Sequence, residues 1–338
     1  MAQLTTSDIL KINASEELGG LIDECVKSNP EIAYFAASPI TRNSYKTLVA
    51  TALPSVGFRS PGNWRTFSDG TLDYRTVDCK YLDASWVVEK ALAEQADWGA
   101  AMVCAYQAQS HLNAAFFLLA QETWYGTLAD ANGFNGLGAF INKTGDYYID
   151  ANPTEASLSD QSSVWLVRTG MDGIQYAWGS NGQLTEGEIK DVLLNDKADG
   201  SLTGAWATAQ EIGGWVGLQI SDKNAVCQIG NLSATASKNG LTDNLIYDAL
   251  SRFPVGKGPT AIFMSRRSLK QLRQSRTATN ATGAPAPIPT EVEGIPIYVT
   301  DAISNAESWT SSSSSSSSSS ESSSSSSSED NGGGGTGG

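Results

Sequence analysis

From Asp83 to about Tyr125 the apolar residues recur with the period of an α-helix, and this run constrains the chain's shape more than any other segment. Ala101, Cys104, Ala108, Leu112, Ala115, Leu119 and Ala120 make one apolar face, which Phe116, Phe117 and Leu118 widen. Asp83 reads as the N-cap and Gly99 as the one weak point. About 40 helical residues at about 1.5 Å each span roughly 60 Å, about twice the diameter of a small domain. The expected object is a structural spine in an elongated molecule.

The flanking segments are of mixed type. Residues 1–38 read as an N-terminal arm with one amphipathic helix, in which Asn13 and Glu16 have capping-box spacing and Leu18, Leu21, Ile22 and Cys25 fall at i, i+3, i+4 and i+7. That stripe is narrow, so the helix is expected to pack on something larger than itself. Residues 39–82 read as an extended loop. Tyr45–Leu53 is rich in β-branched and aromatic residues and Val77–Tyr81 alternates apolar with polar, with turn chemistry at Arg59–Asn63 and Ser68–Gly70 between them. A long hairpin with a polar tip follows, too thin to make its own core and in need of a partner surface.

After residue 125 the pattern turns to strands. Ser163–Arg168 and Ile174–Trp178 flank the turn Thr169–Gly173, and Trp215–Ile220 and Ala225–Ile229 flank Ser221–Asn224, so two hairpins are expected. Leu241 to Phe253 then give a helix, Ala261–Met264 a short buried strand, and Ser265 the cap of a basic helix through about Arg276. A loop with Pro285, Pro287 and Pro289 leads to a last strand, Ile295–Val299, within residues 291–309. Helices and strands mixed in this order indicate an α+β protein. From Thr310 to Gly338 the chain is almost all Ser and Gly. Ordering each residue costs about 1–2 kcal/mol, which these side chains bury too little to offset, so no packed structure is expected there.

Charge and cysteines exclude several function classes. The formal charge is −14, three of it from Glu321, Glu329 and Asp330 in the tail, whereas a body that neutralised phosphates by net charge would be basic. A container that confines nucleic acid without gripping it is still allowed. The first residues have neither a basic nor an apolar signal region, and the longest apolar run, Ala114–Ala120, is far short of the roughly 20 residues of a membrane span. A protein made and kept in a cytoplasm, without membrane contact, is expected. Cys25, Cys79, Cys104 and Cys227 form no Cys-x-x-Cys pair, so they read as reduced, buried small hydrophobes. Nine Trp and eleven Tyr point instead to well-packed interfaces.

Reactive constellations are not legible. The single histidine, His111, falls within the spine period, and no Gly-x-Ser-x-Gly elbow accompanies it. Gly256–Thr260 lacks the phosphate-loop spacing, and Pro259 removes a donor that phosphate would use. Asn195–Gly200 resembles the start of a calcium loop, but Lys197 takes the third ligand position and Trp206 the twelfth. The one charge anomaly is Arg266, Arg267, Lys270, Arg273 and Arg276 on the basic helix, read as a solvated face, an ion-pairing surface for an acidic neighbour, or a contact to enclosed DNA. No catalytic residue, metal ligand or cofactor is expected.

Several segments together resemble the tailed-phage major capsid proteins of the Hong Kong 97-like fold: Tyr45–Pro54 followed by Val56–Arg59, Tyr125–Thr127 with Gly133–Leu137, Ser163–Gly170, Ile262–Leu269 and Gly294–Asp301. The resemblance implies an α+β capsid fold. Its parts would be an N-terminal arm (1–38), an extended loop over a neighbouring subunit (39–82), a peripheral domain on a spine helix (83–125), an axial domain with peripheral-domain strands (126–290), a final peripheral strand (291–309) and a tail outside the family pattern (310–338). It further implies many copies of the chain in hexamers and pentamers, portal and scaffolding proteins during assembly in the host bacterial cytoplasm, a cement or decoration protein, and enclosed double-stranded DNA without sequence-specific binding. Trp64, Arg65 and Phe67 near the loop tip and Arg266, Lys270 and Arg273 on the basic helix are the expected inter-subunit contacts. Three other readings compete: an encapsulin-like nanocompartment shell of the same fold, an enzyme using Asp/Glu pairs, and a secreted adhesin, which conflicts with the missing signal region.

Overall fold

The computed structural model describes residues 27–151, 160–183, 185–195, 204–233, 239–278 and 284–308. The expected arm helix at 13–25, most of the calcium-like turn and the Ser/Gly tail lie outside the described residues. The chain begins with a helical turn α1 (Glu31–Tyr34), then β1 (Ala36–Pro39), β2 (Ser44–Ala52), β3 (Thr71–Asp78), β4 (Lys80–Asp83) and β5 (Trp86–Glu89). Helices α2 (Lys90–Glu94), α3 (Ala100–Tyr125) and α4 (Leu137–Phe140) follow, and then β6 (Tyr148–Asp150), β7 (Gln161–Val167), β8 (Ile174–Trp178), β9 (Thr185–Glu186), β10 (Lys190–Asn195), β11 (Gly204–Gln210), β12 (Ile212–Ile220) and β13 (Val226–Ser233). The last part is α5 (Asp243–Ser251), β14 (Ala261–Met264), α6 (Arg266–Ala278), β15 (Glu291–Val292) and β16 (Ile295–Val299).

The described strands form four sheets. One has the order β1-β8-β12-β4 with β9 added on β12, a second β10-β11-β5, a third β15-β16-β14-β7-β13-β6, and β2 pairs only with β3. The six-stranded sheet is buried on both faces, with the period-2 alternation of strands dividing its side chains. Trp165, Val167 and Phe263 face one way and join Leu119 and Trp124 of α3 with Ile174, Tyr176, Val216 and Leu218 of the five-stranded sheet. Val164, Leu166, Ile262 and Met264 face the other way and are covered by Ile246 and Ala249 of α5 and Leu272 of α6.

The spine is shorter than its sequence period suggests. It starts at Ala100, after Gly99 at φ 84°, and its 26 residues span about 39 Å. Residues 83–99, expected to be helical, hold instead the end of β4, all of β5 and the five-residue α2. The physical reason lies in Trp86, Val87 and Val88, which favour a pleated surface. Trp86 and Val88 are buried, and β5 pairs antiparallel with β11 through Thr208↔Val88 and Gln210↔Trp86.

Neither expected hairpin forms as such. β7 lies in the six-stranded sheet and β8 in the five-stranded one, and β12 and β13 divide in the same way. The arms pair across the two units: β8 is antiparallel to β12, and β7 to β13. All of β7 and β13 is buried, which a hairpin with one wet face would not permit. The two crossing turns are tied together where Arg168 Nη2 meets Asp222 Oδ2 at 2.9 Å and Ser221 N donates to Gly173 O at 2.9 Å. The helix before β14, the strand β14, the basic helix and the last strand all form where expected, with β16 parallel to β14.

Candidate assembly surfaces

The extended loop is a two-stranded antiparallel ribbon, in register from Ser44↔Asp78 to Ala50↔Leu72 with an irregularity before Ala52↔Thr71. Its second arm is Thr71–Asp78, and the expected Val77–Tyr81 strand divides at Cys79 between the ribbon and β4. Only the base is embedded. Val77 and Cys79 are buried against Ala177, Tyr45 Oη bonds Gln219 Oε1, and Arg75 Nη1 donates to Ile220 O at 3.0 Å. Further out Leu48, Leu72 and Tyr74 are exposed, and at the tip Leu53, Val56 and Phe58 are exposed as well. Trp64 and Phe67 are 98% and 94% exposed.

Tip order comes from polar groups. Ser55 N donates to Ser68 Oγ at 2.8 Å and Arg59 Nη1 to Asn63 O at 3.0 Å. Arg65 reaches back to Gly57 O at 3.3 Å and to Ser55 O. Thus Arg65, expected as an inter-subunit contact, has its guanidinium hydrogen-bonded to carbonyls of its own tip. The tip is a strip of exposed apolar surface without a core behind it, the kind of patch that makes it a candidate interaction surface.

The basic helix α6 presents a second surface. Ser265 Oγ accepts from Ser268 N at 3.3 Å, and Leu272 is buried while Leu269 is half-buried. Arg266, Arg267 and Lys270 are exposed. Arg273 is exposed too, but its Nε donates to Ala286 O at 2.8 Å, and Arg276 forms a two-pronged pair with Asp243 at 2.8 and 2.7 Å. Two of the five cations therefore serve the fold. The ribbon leaves the five-stranded sheet and α6 follows β14 of the six-stranded one, so the predicted contacts belong to two separate surfaces.

A third surface escaped sequence reasoning. On the β10-β11-β5 sheet Leu193 stands opposite Trp206, and both are exposed, as is Ile189. Its signal was the alternation in Ala205-Trp206-Ala207, where Ala207 faces the core and Trp206 the open side.

Buried carboxyls lie inside, away from these surfaces. Burial raises Glu122 to about 7, its Oε2 accepting from Asp130 N at 3.2 Å while Oε1 is buried without a hydrogen bond. Burial likewise raises Glu31, which accepts from Trp124 Nε1 at 3.1 Å and Thr300 Oγ1 at 2.9 Å. Glu307 is raised for the same reason and accepts from Tyr125 Oη at 2.7 Å and Ser163 Oγ at 2.8 Å. These groups tie the spine's end and the terminal strands together. His111 is exposed on α3, and among the described residues no group of His, Cys, Asp and Glu could hold a metal. Cys79, Cys104 and Cys227 are free and buried, as expected of small hydrophobes.

A family model described as Major capsid protein GP7 matches residues 32–311. Among solved structures the chain is similar to a cryo-EM-derived structure of bacteriophage Epsilon15, at 18% identity and a TM-score of 0.69, covering 91% of this chain and 97% of that one. It is also similar to the bacteriophage JBD30 capsid at 13% identity (TM-score 0.46, covering 88% and 98%) and to the holo-SrpI encapsulin complex of Synechococcus elongatus at 9% identity (TM-score 0.42, covering 70% and 98%). Of these three, the Epsilon15 structure alone is similar enough to bear on the fold. No curated protein matches the sequence.

Proposed function

This chain belongs to the major capsid protein GP7 family, and from that premise we propose that its ribbon, within residues 39–82, lies over a neighbouring copy in the shell. The protein is a tailed-phage major capsid protein of α+β, Hong Kong 97-like fold, a structural component of the virion and not an enzyme. One observation carries the reading of the ribbon: Trp64 and Phe67 are almost fully exposed at the end of a two-stranded element that has no core of its own. Identical copies supply the missing surface, and closed symmetry repeats each such contact around the shell.

On this reading the copies gather into hexamers and pentamers in the host cytoplasm, with residues 1–38 as an arm whose end, α1 and β1, is anchored in the body. The body divides into a peripheral part built on Ala100–Tyr125 and an axial part that meets its copies at each capsomer centre. Portal, scaffolding and cement proteins are its expected partners, and DNA is enclosed without being read, in keeping with the net charge of −14. Particle mass is the direct test. Purified chain should form megadalton shells, and a stable monomer or small oligomer under all assembly conditions would sink the proposal.

A further inference from the structure

The outward face of α3 carries no charge. Met102, Ala105, Gln109, Leu112 and Phe116 recur at alternating steps of three and four residues, the spacing of a helix-pairing seam. Met102 is 59% exposed and Phe116 38%, with Ala105 and Gln109 exposed and Leu112 half-buried between them. Throughout the helix the only carboxylate is Glu122, which is buried, and there is no Lys or Arg. The outer side keeps polar Gln109 and His111, but it lacks the charged stripe that a solvent-facing amphipathic helix carries, and its apolar seam is left without a cover among the described residues.

We propose that residues 13–25 of the same chain, which lie outside the described residues, cover this seam. The position of the adjoining chain supports that occupant. Two residues after the segment, Lys27 Nζ sits 4.2 Å from the centre of the Phe117 ring, next to the last seam residue, and Ser28 N is held by Asp301 Oδ2 at 2.9 Å. Length agrees as well: thirteen helical residues span about 20 Å, and Met102 to Phe116 about 21 Å. The pattern is complementary, since Ala14, Leu18, Leu21 and Cys25 are spaced by four, three and four residues, with Glu16, Asp23 and Glu24 off that stripe. Gly19 and Gly20 make the segment a poor helix by itself, which ties its helical form to the docked state. This goes beyond the shell role and does not depend on it.

The test uses the full-length chain before assembly, with Asn113→Cys placed beside the seam, where the docked arm would bring Cys25. Cys79, Cys104 and Cys227 are buried and do not compete. Light and isotope-labelled chains are mixed, gently oxidised and analysed by mass spectrometry. The expected product is a disulfide from Cys25 to the introduced thiol within one chain. In a second variant, Leu18→Asp with Leu21→Asp, peroxide should oxidise Met102 faster by on the order of fivefold, because reactivity follows exposure. Linkage between light and labelled chains would overturn the proposal in favour of a neighbour's arm. Absence of linkage together with equal Met102 reactivity would overturn it in favour of another protein, or of no cover at all.

Discussion

Replacing Trp64 and Phe67 by serine should leave the isolated protomer as stable as before and prevent shell formation. Both rings stand almost wholly in solvent, and surface substitutions of that kind change stability by no more than about 0.5 kcal/mol. In the shell the same rings are to be buried. An aromatic side chain hides about 150–250 Å², which at about 25 cal/mol per Å² corresponds to roughly 4–6 kcal/mol per ring. Truncation of an aromatic hot spot at an interface registers less, about 2–4 kcal/mol. Two rings at the lower figure weaken each ribbon contact by about 4 kcal/mol, close to a thousandfold in affinity. Thermal melting of the unassembled chain and light scattering across protein concentration separate the two effects. If the double variant melts several degrees lower, the tip is packed within its own subunit. If it assembles at the parent's concentration, the tip is no interface, and either result refutes the reasoning.

Three further outcomes are expected. Gly133→Ala should lower the melting temperature, since its Cβ would lie 1.8 Å from Glu122 Oε1; the strain is about 1–3 kcal/mol, and adding Glu122→Ala should recover part of it, which an unrelated loop effect would not. Glu122 is raised from 4.5 to about 7 by burial, so the fold retains a proton that the unfolded chain releases; stability should be full below about pH 4.5 and decline as pH rises to about 7. Glu31 and Glu307 act in the same direction, and Glu122→Gln should flatten its share of the decline in a pH series of melting curves, an unchanged slope counting against the assignment. Arg266→Gln with Lys270→Gln should reduce the salt sensitivity of assembly. Exposed pairs contribute only about 0–1 kcal/mol each, but they are screened as the Debye length falls from about 10 Å at about 0.1 M salt to about 3 Å at about 1 M. Light scattering across salt with no difference between variant and parent would leave α6 as an ordinary solvated face.

Local periodicity determined much by itself. The 3.6-residue recurrence of apolar side chains located the spine, α5 and α6, and Ser265 marked the start of α6 by its own capping bond. Period-2 alternation with turn residues located the ribbon, and the short apolar runs at 261–264 and 295–299 were strands. The exposed rings of the tip were legible because a two-stranded element has no room for a core, whatever surrounds it.

Only the tertiary structure decided where those elements pair. Turn chemistry at 169–173 and 221–224 fixes that the chain turns, but not whether its arms join each other or pass to different sheets. Burial on both faces of β7 and β13 selected the second arrangement. Trp86–Val88 was compatible with continuing a helical period, and its pairing with β11, more than a hundred residues later, made it a strand. Arg65, Arg273 and Arg276 looked like free cations in sequence because their partners are backbone carbonyls and one distant carboxylate. Near neighbours in sequence set φ, ψ and side-chain period, whereas sheet membership and charge partners depend on contacts whose sequence separation leaves no local trace.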